Sequence, residues 1–500
     1  MPLNLASPGV LIREVDLTVG RIDPVSPSVG ALAAPFAQGP VGEPTLIENE
    51  NDLLNTFGKP YNVDNHYEHW MVASSYLAYG GTLQVVRSDD TSMANGMIGA
   101  ATSTKIRSIQ HYNELGYASN ILADVTFAAK NPGSWGNSLR VAVIDALADQ
   151  VLTGITTTGV DGGGSGGDIV VGTGVTQSIT SVLPGAGTTS TLDGYLKGVV
   201  TEVGSSQISV KVLSHVSASG TETNVDYQNR GVYRFADSGT VGLTTESGAI
   251  GGIGVTAYTG ETDWFDGQQI TLGSGTKVNW NGLADRPQTT EFGAERGTRF
   301  DEVHIVVYDD DGTITGNSGT VLEKHLGLSK AKDATFSSGS PSYWRKFLAE
   351  SSEYIFGGSQ PVGVTTVAYQ AGTFERVTDY DWDQNAQGIS FAAIGNYNKV
   401  MTKGVNYGGK TDLTTAGALG SSLAGTIAGI DVFVNEEDTD VDFLLMGSAA
   451  YTKEEAQALA NKLIAVAEAR QDAIAFISPY RGAAITDTST QTSETIRNID

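Results

Sequence analysis

The residues of this 500-residue sequence with the strongest match to a catalytic pattern lie between Gly404 and Thr411. The run GVNYGGKT fits G-x-x-x-x-G-K-[ST], in which backbone N–H groups wrap phosphates, the lysine reaches their oxygens and the hydroxyl binds magnesium. That chemistry needs a buried strand before the loop and a helix after it. Residues 399–403 form a poor strand pattern and residues 411–420 open no helix. The context therefore argues against a P-loop, and nucleotide binding through Gly404 to Thr411 is the alternative function.

Three other patterns could indicate a metal-binding or catalytic site, and in each the sequence context argues against that function. His66 and His69 share one face of a predicted helix but have no third metal ligand, so we predict a solvated helix face. The run DDDG at 309–312 places its glycine too early for a calcium loop and predicts a turn after a strand. The glycine run at 161–168 matches G-x-S-x-G without a flanking strand or helix. The sequence therefore predicts no catalytic, cofactor-binding or metal-binding residue and no cofactor.

Composition narrows the classes of partner. Thirty basic and 56 acidic residues give a net charge of −26, which argues against a nucleic-acid or anionic-membrane surface. Cysteine is absent, which excludes disulfides and thiolate metal sites. The N-terminus has neither a basic start nor an apolar run, so we expect no signal peptide. Residues 414–430 are too rich in Gly, Ser and Thr to suggest a membrane span.

Periodicity predicts an α/β architecture near both ends of the chain. Capped helices precede a strand at 83–87, and a strand at 441–446 is followed by a helix that Thr452 and Glu455 open as a capping box. A second apolar strand at 473–477 completes a βαβ unit. Residues 151–260 are instead rich in Gly, Thr, Ser and Val and predict a β-rich insertion, which also leaves a glycan-binding surface protein open.

We therefore predict a mixed α/β and β multidomain fold, with a discontinuous α/β core, nested β-rich insertion domains and an extended N-terminal arm. The predicted layout is an arm at 1–28, a core at 29–88 plus 375–485, a middle domain at 89–150 plus 261–374, an outer domain at 151–260 and the start of a C-terminal domain at 486–500.

Two local segments stand out within this layout. In the arm, residues 10–17 alternate like a strand that has no hairpin partner, so a distant sheet edge or another subunit must satisfy its backbone groups. In the middle domain, the turn PGSWGN holds a large aromatic between glycines, which predicts that Trp135 packs the turn onto a core. Its predicted structural residues are Pro132, Gly133, Trp135, Gly136 and Asn137.

Several motifs, taken in order, resemble the contractile tail sheath proteins of myovirus-type bacteriophages. They are SPGV at 7–10, GALA at 30–33, QGPVGEP at 38–44, LNTFGKP at 54–60, YGG at 79–81, VVR at 85–87, AKNPGSWGNSL at 129–139, DEVHIVV at 301–307, TVLE at 320–323 and EARQD at 468–472. The resemblance covers residues 7 to 480 and is more specific than any single pattern above.

The resemblance implies a structural, non-enzymatic subunit. Such subunits form hexameric rings stacked helically around a tail tube, and the rings contract to drive the tube through the host envelope. The implied partners are the chain itself, the tail tube protein, and the baseplate and tail terminator proteins, with no direct nucleic-acid contact or membrane insertion. The implied location is the virion tail sheath, assembled in the cytoplasm of a bacterial host.

The resemblance also gives the arm a role. It implies that the arm donates a strand to a neighbouring subunit through Pro8, Gly9, Val10, Ile12 and Glu14. The acceptor would be a C-terminal domain facing the tube, of which residues 486–500 would be the beginning.

Overall fold

The computed structural model describes residues 28–480 except for short internal stretches. Those stretches are 100–102, 119–120, 148–149, 154–173, 181–192, 204–206, 226–232, 234, 236–242, 246–247, 251–264, 266–267, 362–378, 381, 392–393 and 449–451. The predicted strand of the arm, the glycine run at 161–168 and the predicted start of a C-terminal domain at 486–500 lie outside the described residues.

The described strands are β1 (Val29–Ala34), β2 (Pro44–Ile47), β3 (Thr82–Arg87), β4 (Asn95–Ile98), β5 (Phe127–Pro132), β6 (Leu139–Leu147), β7 (Gln150–Thr153), β8 (Gly174–Thr180), β9 (Asp193–Val203), β10 (Gln207–Val216), β11 (Glu222–Asn224), β12 (Leu243–Thr245), β13 (Gly248–Ile250), β14 (Gln269–Thr271), β15 (Lys277–Asn279), β16 (Glu302–Asp309), β17 (Thr320–Ser329), β18 (Ile355–Gly357), β19 (Asp379–Tyr380), β20 (Ser390–Phe391), β21 (Ile394–Val400), β22 (Phe443–Leu445) and β23 (Ile474–Phe476).

The described α-helices are α1 (Glu50–Phe57), α2 (His66–Ala78), α3 (Ile109–Glu114), α4 (Glu291–Ala294), α5 (Trp344–Ser351), α6 (Leu423–Asp431) and α7 (Lys453–Arg470).

One sheet joins the two ends of the described chain in the order β2-β3-β1-β22-β23. The last four strands are parallel and β2 is antiparallel to β3. The predicted βαβ unit is confirmed as β22, α7 and β23, and the capping box at Thr452 and Glu455 is present. The apolar strand β23 is, however, an edge strand whose Ile474 and Phe476 are 61% and 54% exposed.

Helices cover the two faces of this sheet unequally. On one face α6 and α7 bury Ala31 and Ala33 of β1 together with Leu444 of β22. On the other face α1 and α2 bury Leu32 and Ala34 of β1. Because β1 is buried on both faces, it shows the continuous apolar sequence typical of a central parallel strand. On this second face α2 packs mainly over β1 and β3, and Phe476 of β23 is left half exposed.

Two antiparallel sheets form the middle of the molecule. Their strand orders are β17-β16-β6-β21 and β18-β5-β4. One apolar cluster, which includes Trp135, Trp344 and Trp382, spans strands of both sheets. Strand β21 pairs with β6, whereas the layout predicted from the sequence assigned its residues to the α/β core.

A buried ion pair lies inside this middle region. Lys330 Nζ is 2.5 Å from Asp145 Oδ2, and both side chains are fully buried. Lys330 also donates to the carbonyl oxygen of Phe300, and Asp145 Oδ1 accepts from the backbone N–H of Gly395. The pair thereby links the end of β17 to β6 and to β21.

The described parts of 151–260 are β-strands, as their composition predicts. Strands β8, β9 and β10 are the centre of a sheet with the order β11-β10-β9-β8-β12-β13, and β7 pairs with β10. Leu213 of β10 packs in one cluster with Trp280 and with Ile144 of β6, so this sheet contacts the middle region. The mixed α/β class is thus confirmed, whereas the nesting of whole domains stays a prediction.

Candidate functional site: a buried junction

The loop with the phosphate-binding pattern does not have the structure of a nucleotide site. Tyr407–Gly409 form a single 3₁₀ turn, and the next helix, α6, begins only at Leu423. Without a helix N-terminus at the end of the loop, no row of backbone N–H groups converges on a phosphate. The alternative interpretation of Gly404 to Thr411 as a P-loop is therefore wrong.

The loop instead packs against the PGSWGN turn. The backbone N–H of Gly404 donates to Asn137 Oδ1 at 2.7 Å, and Asn137 Nδ2 donates to the Gly404 carbonyl at 3.0 Å. A Cβ atom on Gly404 would lie 2.4 Å from the carbonyl oxygen of Gly133. Only glycine permits this approach, which explains the residue that begins the pattern.

A second asparagine holds the other half of the turn. Asn406 Oδ1 accepts from the backbone N–H of Ser134 at 2.8 Å, and its Nδ2 donates to Ser134 Oγ at 2.7 Å. Ala94 and Val405 exchange two backbone hydrogen bonds beside it. Each of the two amides thus donates one hydrogen bond and accepts another between loops that lie far apart in sequence.

The guanidinium of Arg87 occupies the centre of this junction. Arg87 ends β3 and is fully buried. It donates to four main-chain carbonyls, those of Phe36, Ala37, Gly39 and Pro132, at 2.8 to 3.1 Å. Burial lowers the pKa of Arg87, but arginine stays charged because its ordinary pKa is so high. One side chain thus joins the five-stranded sheet to the PGSWGN turn.

Tyr407 closes the junction from the side of the Gly404–Thr411 loop. Its Oη donates to the Ser88 carbonyl at 2.9 Å and accepts from the Phe36 N–H at 3.3 Å. Its ring centroid lies 5.8 Å from the Arg87 guanidinium carbon. Three separate chain segments therefore meet around one buried cation, Arg87. We define the junction as Arg87 together with these segments, which are residues 36–39, 132–137 and 404–407.

The structure places the predicted PGSWGN residues together at this junction. Trp135 is 4% exposed and packs in the middle cluster, and a Cβ on Gly136 would meet Ala129 at 2.9 Å. Gly133 has a φ of +140°, where a side chain would be strained. The predicted arm residues Pro8, Gly9, Val10, Ile12 and Glu14 are not among the described residues.

Sequence reasoning missed Arg87, Tyr407 and Asn406 as functional residues. The available signal was the charge at the end of the apolar strand TLQVVR, since a lone arginine there must either reach solvent or be fully hydrogen-bonded. The carbonyls that surround it carry no sequence signal, because every residue has one.

The prediction of a solvated face for the two histidines is wrong. His66 is fully buried and His69 is 5% exposed. Their Nδ1 atoms accept from the backbone N–H groups of Tyr61 and Ser448. Burial lowers the pKa of His66 to about 4 and that of His69 to about 3, so both are neutral bases at pH 7.

The acidic run at 309–312 is a turn after β16, as predicted. Asp309 accepts from the N–H groups of Gly312 and Thr315, and Asp310 pairs with Arg140 at 2.6 Å. Among the described residues, no three histidine or acidic side chains are grouped as metal ligands. None of the helices within the described ranges is long and apolar enough to cross a membrane.

Comparison with known proteins gives a consistent set of relatives. The chain is 22% identical over 497 residues to the tail sheath protein of Enterobacteria phage T4, a match that covers 96% of this chain and 62% of that protein. It is 32% identical over 94 residues to the tail sheath protein of Vibrio phage KVP40, covering 18% of this chain and 13% of that protein. This chain therefore spans less than two thirds of the length of the T4 protein. No protein-family model matches it.

Two solved structures of sheath tail proteins are weakly similar. The protein from Desulfitobacterium hafniense is 14% identical, with 50% of this chain and 37% of that chain covered and a TM-score of 0.15. The protein from Listeria innocua is 12% identical, with 89% and 84% covered and the same TM-score. The two sequence relatives confirm the resemblance to phage tail sheath proteins that the ordered motifs indicate.

Proposed function

Starting from this similarity to phage tail sheath proteins, we propose that the chain is a structural subunit of a contractile tail sheath. The observation that carries the proposal is the match to a tail sheath protein over 96% of the chain. In this proposal the subunits form hexameric rings stacked helically around a tail tube, and contraction of the rings drives the tube through the host envelope. The subunit acts mechanically and has no enzymatic role.

The junction supports a mechanical role. A subunit that moves as a body within a contracting assembly must keep its own parts in fixed relation. The side chains of Arg87 and Asn137 bond to main-chain groups of other segments. Each of these bonds therefore holds the backbone of the segment that it reaches, and not only another side chain. The two middle sheets and the five-stranded sheet are thereby connected without a flexible linker at this point.

Charge supports protein partners. With a net charge of −26 the chain lacks the excess of basic residues that phosphate binding requires. We propose contacts with other copies of the chain, with the tail tube protein and with the baseplate and tail terminator proteins, and none with nucleic acid or the membrane interior. The protein would reside in the virion tail after assembly in the cytoplasm of the host.

The arm and the domain layout belong to the same proposal. The arm would donate residues 8–18 to a neighbouring subunit, and residues 151–260 would form an outer domain nested in a discontinuous core. Crosslinking of a Val10→Cys variant within assembled tails tests the exchange. Crosslinks between subunits are expected, and crosslinks only within one subunit would overturn it.

Electron microscopy of phage particles that carry an affinity tag on this chain tests the function itself. Gold label is expected at regular intervals along the tail shaft, with a shorter and wider labelled region in contracted particles. A tag on a capsid protein of the same phage is the control. Label confined to the capsid or the baseplate, or absent from the particle, would refute the sheath role.

A further inference from the structure

An open apolar groove lies on the bare part of the five-stranded sheet. It has a volume of about 510 Å³ and lies between α2 and strands β22 and β23. Its walls are Met71, Tyr76, Tyr79, Phe443, Leu445 and Phe476. Tyr79 is 94% exposed and Phe476 54% exposed, which is unusual for aromatic side chains of a soluble fold.

The aromatic rings form a continuous row across the strands. The ring of Tyr76 lies 6.3 Å from that of Phe443, which lies 5.5 Å from that of Phe476. Tyr76 can lie flat against the sheet because Gly30 and Gly81 have no Cβ, and one on either residue would come within 2.8 Å of its ring. The row begins over β1 and runs toward the sheet edge.

The N-terminal arm enters the fold at the start of this row. Tyr76 Oη donates to the carbonyl oxygen of Ser28 at 2.9 Å, and Ser28 is the first described residue. The residues before it read Pro24-Val25-Ser26-Pro27, a P-x-x-P sequence. Segments of this kind favour the polyproline II conformation and bind grooves lined by aromatic rings.

We infer that the groove holds residues 24–27 of the same chain. Four residues in polyproline II conformation span about 12 Å, which matches the length of the aromatic row. The covalent connection at Ser28 gives the segment an effective concentration of the order of millimolar, so it outcompetes a second copy in dilute solution. Proline also needs no hydrogen-bond partner for its nitrogen, which suits a groove whose walls are mostly apolar.

The other end of the chain fits the groove less well. Tyr480, the last described residue, packs on the opposite face with the α6 and α7 cluster. Residues 481–500 therefore start from the wrong side of the sheet, and they contain Arg481, Asp487, Glu494 and Arg497. Residues 24–27 carry no charge.

The groove thus anchors the root of the arm in its own subunit and leaves residues 8–18 to extend from it. This inference concerns the free chain and does not require the sheath role, so the two can fail separately. It also predicts that the cis contact persists when residues 8–18 pair with another subunit.

Crosslinking tests the anchor directly, because the natural chain has no cysteine. Val25→Cys combined with Ser75→Cys, a residue of the groove wall, should crosslink within one chain through a short bismaleimide. The yield should not change over a roughly hundredfold dilution. The control pairs Val25→Cys with Ser274→Cys, an exposed residue of the β14–β15 turn, and should not crosslink. Dimeric products whose yield falls on dilution would assign the groove to a second copy, and no crosslink above the control would leave it without the arm; both overturn the inference.

Proteolysis provides a second readout with intact folding. Tyr79→Ser changes a side chain that is almost wholly exposed, so the fold should be unaffected. Trypsin cleavage after Arg21, next to the anchored segment, should become about fivefold faster, since an aromatic contact contributes about 1 kcal/mol. Tyr67→Ser, on the same helix but outside the groove, should leave the rate unchanged. Equal rates in the two variants would contradict the anchor.

Discussion

Two buried cations hold this molecule together in different ways. Arg87 at the junction donates to neutral carbonyls from two segments, residues 36–39 and Pro132, whereas Lys330 in the middle region pairs with the carboxylate of Asp145. Removing Arg87 would leave several acceptors unsatisfied, while removing Lys330 would leave one charge. The junction therefore depends on the geometry of the guanidinium, whose N–H groups reach several acceptors at once. The ion pair depends instead on the neutralisation of one buried charge by the other.

Arg87→Met should have the largest effect. Four buried carbonyls lose their donor at about 1 to 3 kcal/mol each, so we expect the free energy of unfolding to fall by about 5 kcal/mol or more. Denaturant titration of the purified chain measures this. Arg87→Lys restores the charge but not the fork, and its stability should stay well below that of the natural chain. Recovery to within about 1 kcal/mol by lysine would show that charge alone matters here.

Lys330→Met should cost about 3 to 5 kcal/mol, because it leaves Asp145 charged and buried. Adding Asp145→Asn removes that charge and keeps an oxygen for the Gly395 N–H, so the double variant should regain about 2 kcal/mol. The same titration compares the single and double variants. If the double variant is as unstable as the single one, the ion pair is not maintained by charge balance.

A third buried group, His69, is uncharged at neutral pH, and its protonation makes the free energy of unfolding depend on pH. Its pKa is lowered to about 3 in the folded chain, from the ordinary histidine value of 6.5. Below pH 6.5 the unfolded chain therefore binds more protons than the folded chain. Stability is fully present above pH 6.5 and should fall by about 2 kcal/mol between pH 7 and pH 5 through this residue. Thermal unfolding of His69→Asn over this range should have a shallower pH slope, with Tyr67→Ser as the control. An unchanged slope would mean that other groups cause the acid sensitivity.

Lys410→Ala should have the smallest effect. The backbone of Lys410 bonds to Asn406 and Tyr407 of the junction, and alanine keeps these bonds. We therefore expect a change within about 0.5 kcal/mol and no change in nucleotide affinity by calorimetry. Asn406→Ala, in the same loop, should cost about 2 kcal/mol because a buried amide loses its bonds to Ser134. ATP binding at micromolar concentration that Lys410→Ala abolishes would contradict this assignment.

Local signals in the sequence were sufficient for the α/β elements. The capping box at Thr452 and the strand predicted at 83–87, which is β3, depend on residues close together in sequence, so the pattern specifies them without knowledge of the fold. The junction could not be predicted in the same way. The bond from Arg87 to the Pro132 carbonyl depends on the tertiary arrangement of loops that are distant in sequence. Because every residue has a main-chain carbonyl, the sequence does not indicate which of them accept from Arg87. The burial of His66 and His69 was missed because a helix pattern does not reveal what packs against it.

The pairing of β1 has a consequence for the order of events at the ribosome. Val29 and Asp442 are hydrogen-bonded although 413 residues separate them. At a synthesis rate of about 5 to 20 residues per second, about 20 to 80 seconds pass between the synthesis of β1 and β3 and that of β22. During that time one edge of an apolar parallel strand remains open to other nascent chains. The intervening residues must therefore fold first if the nascent chain is to avoid aggregation, so translation rate becomes a determinant of the yield of intact subunits.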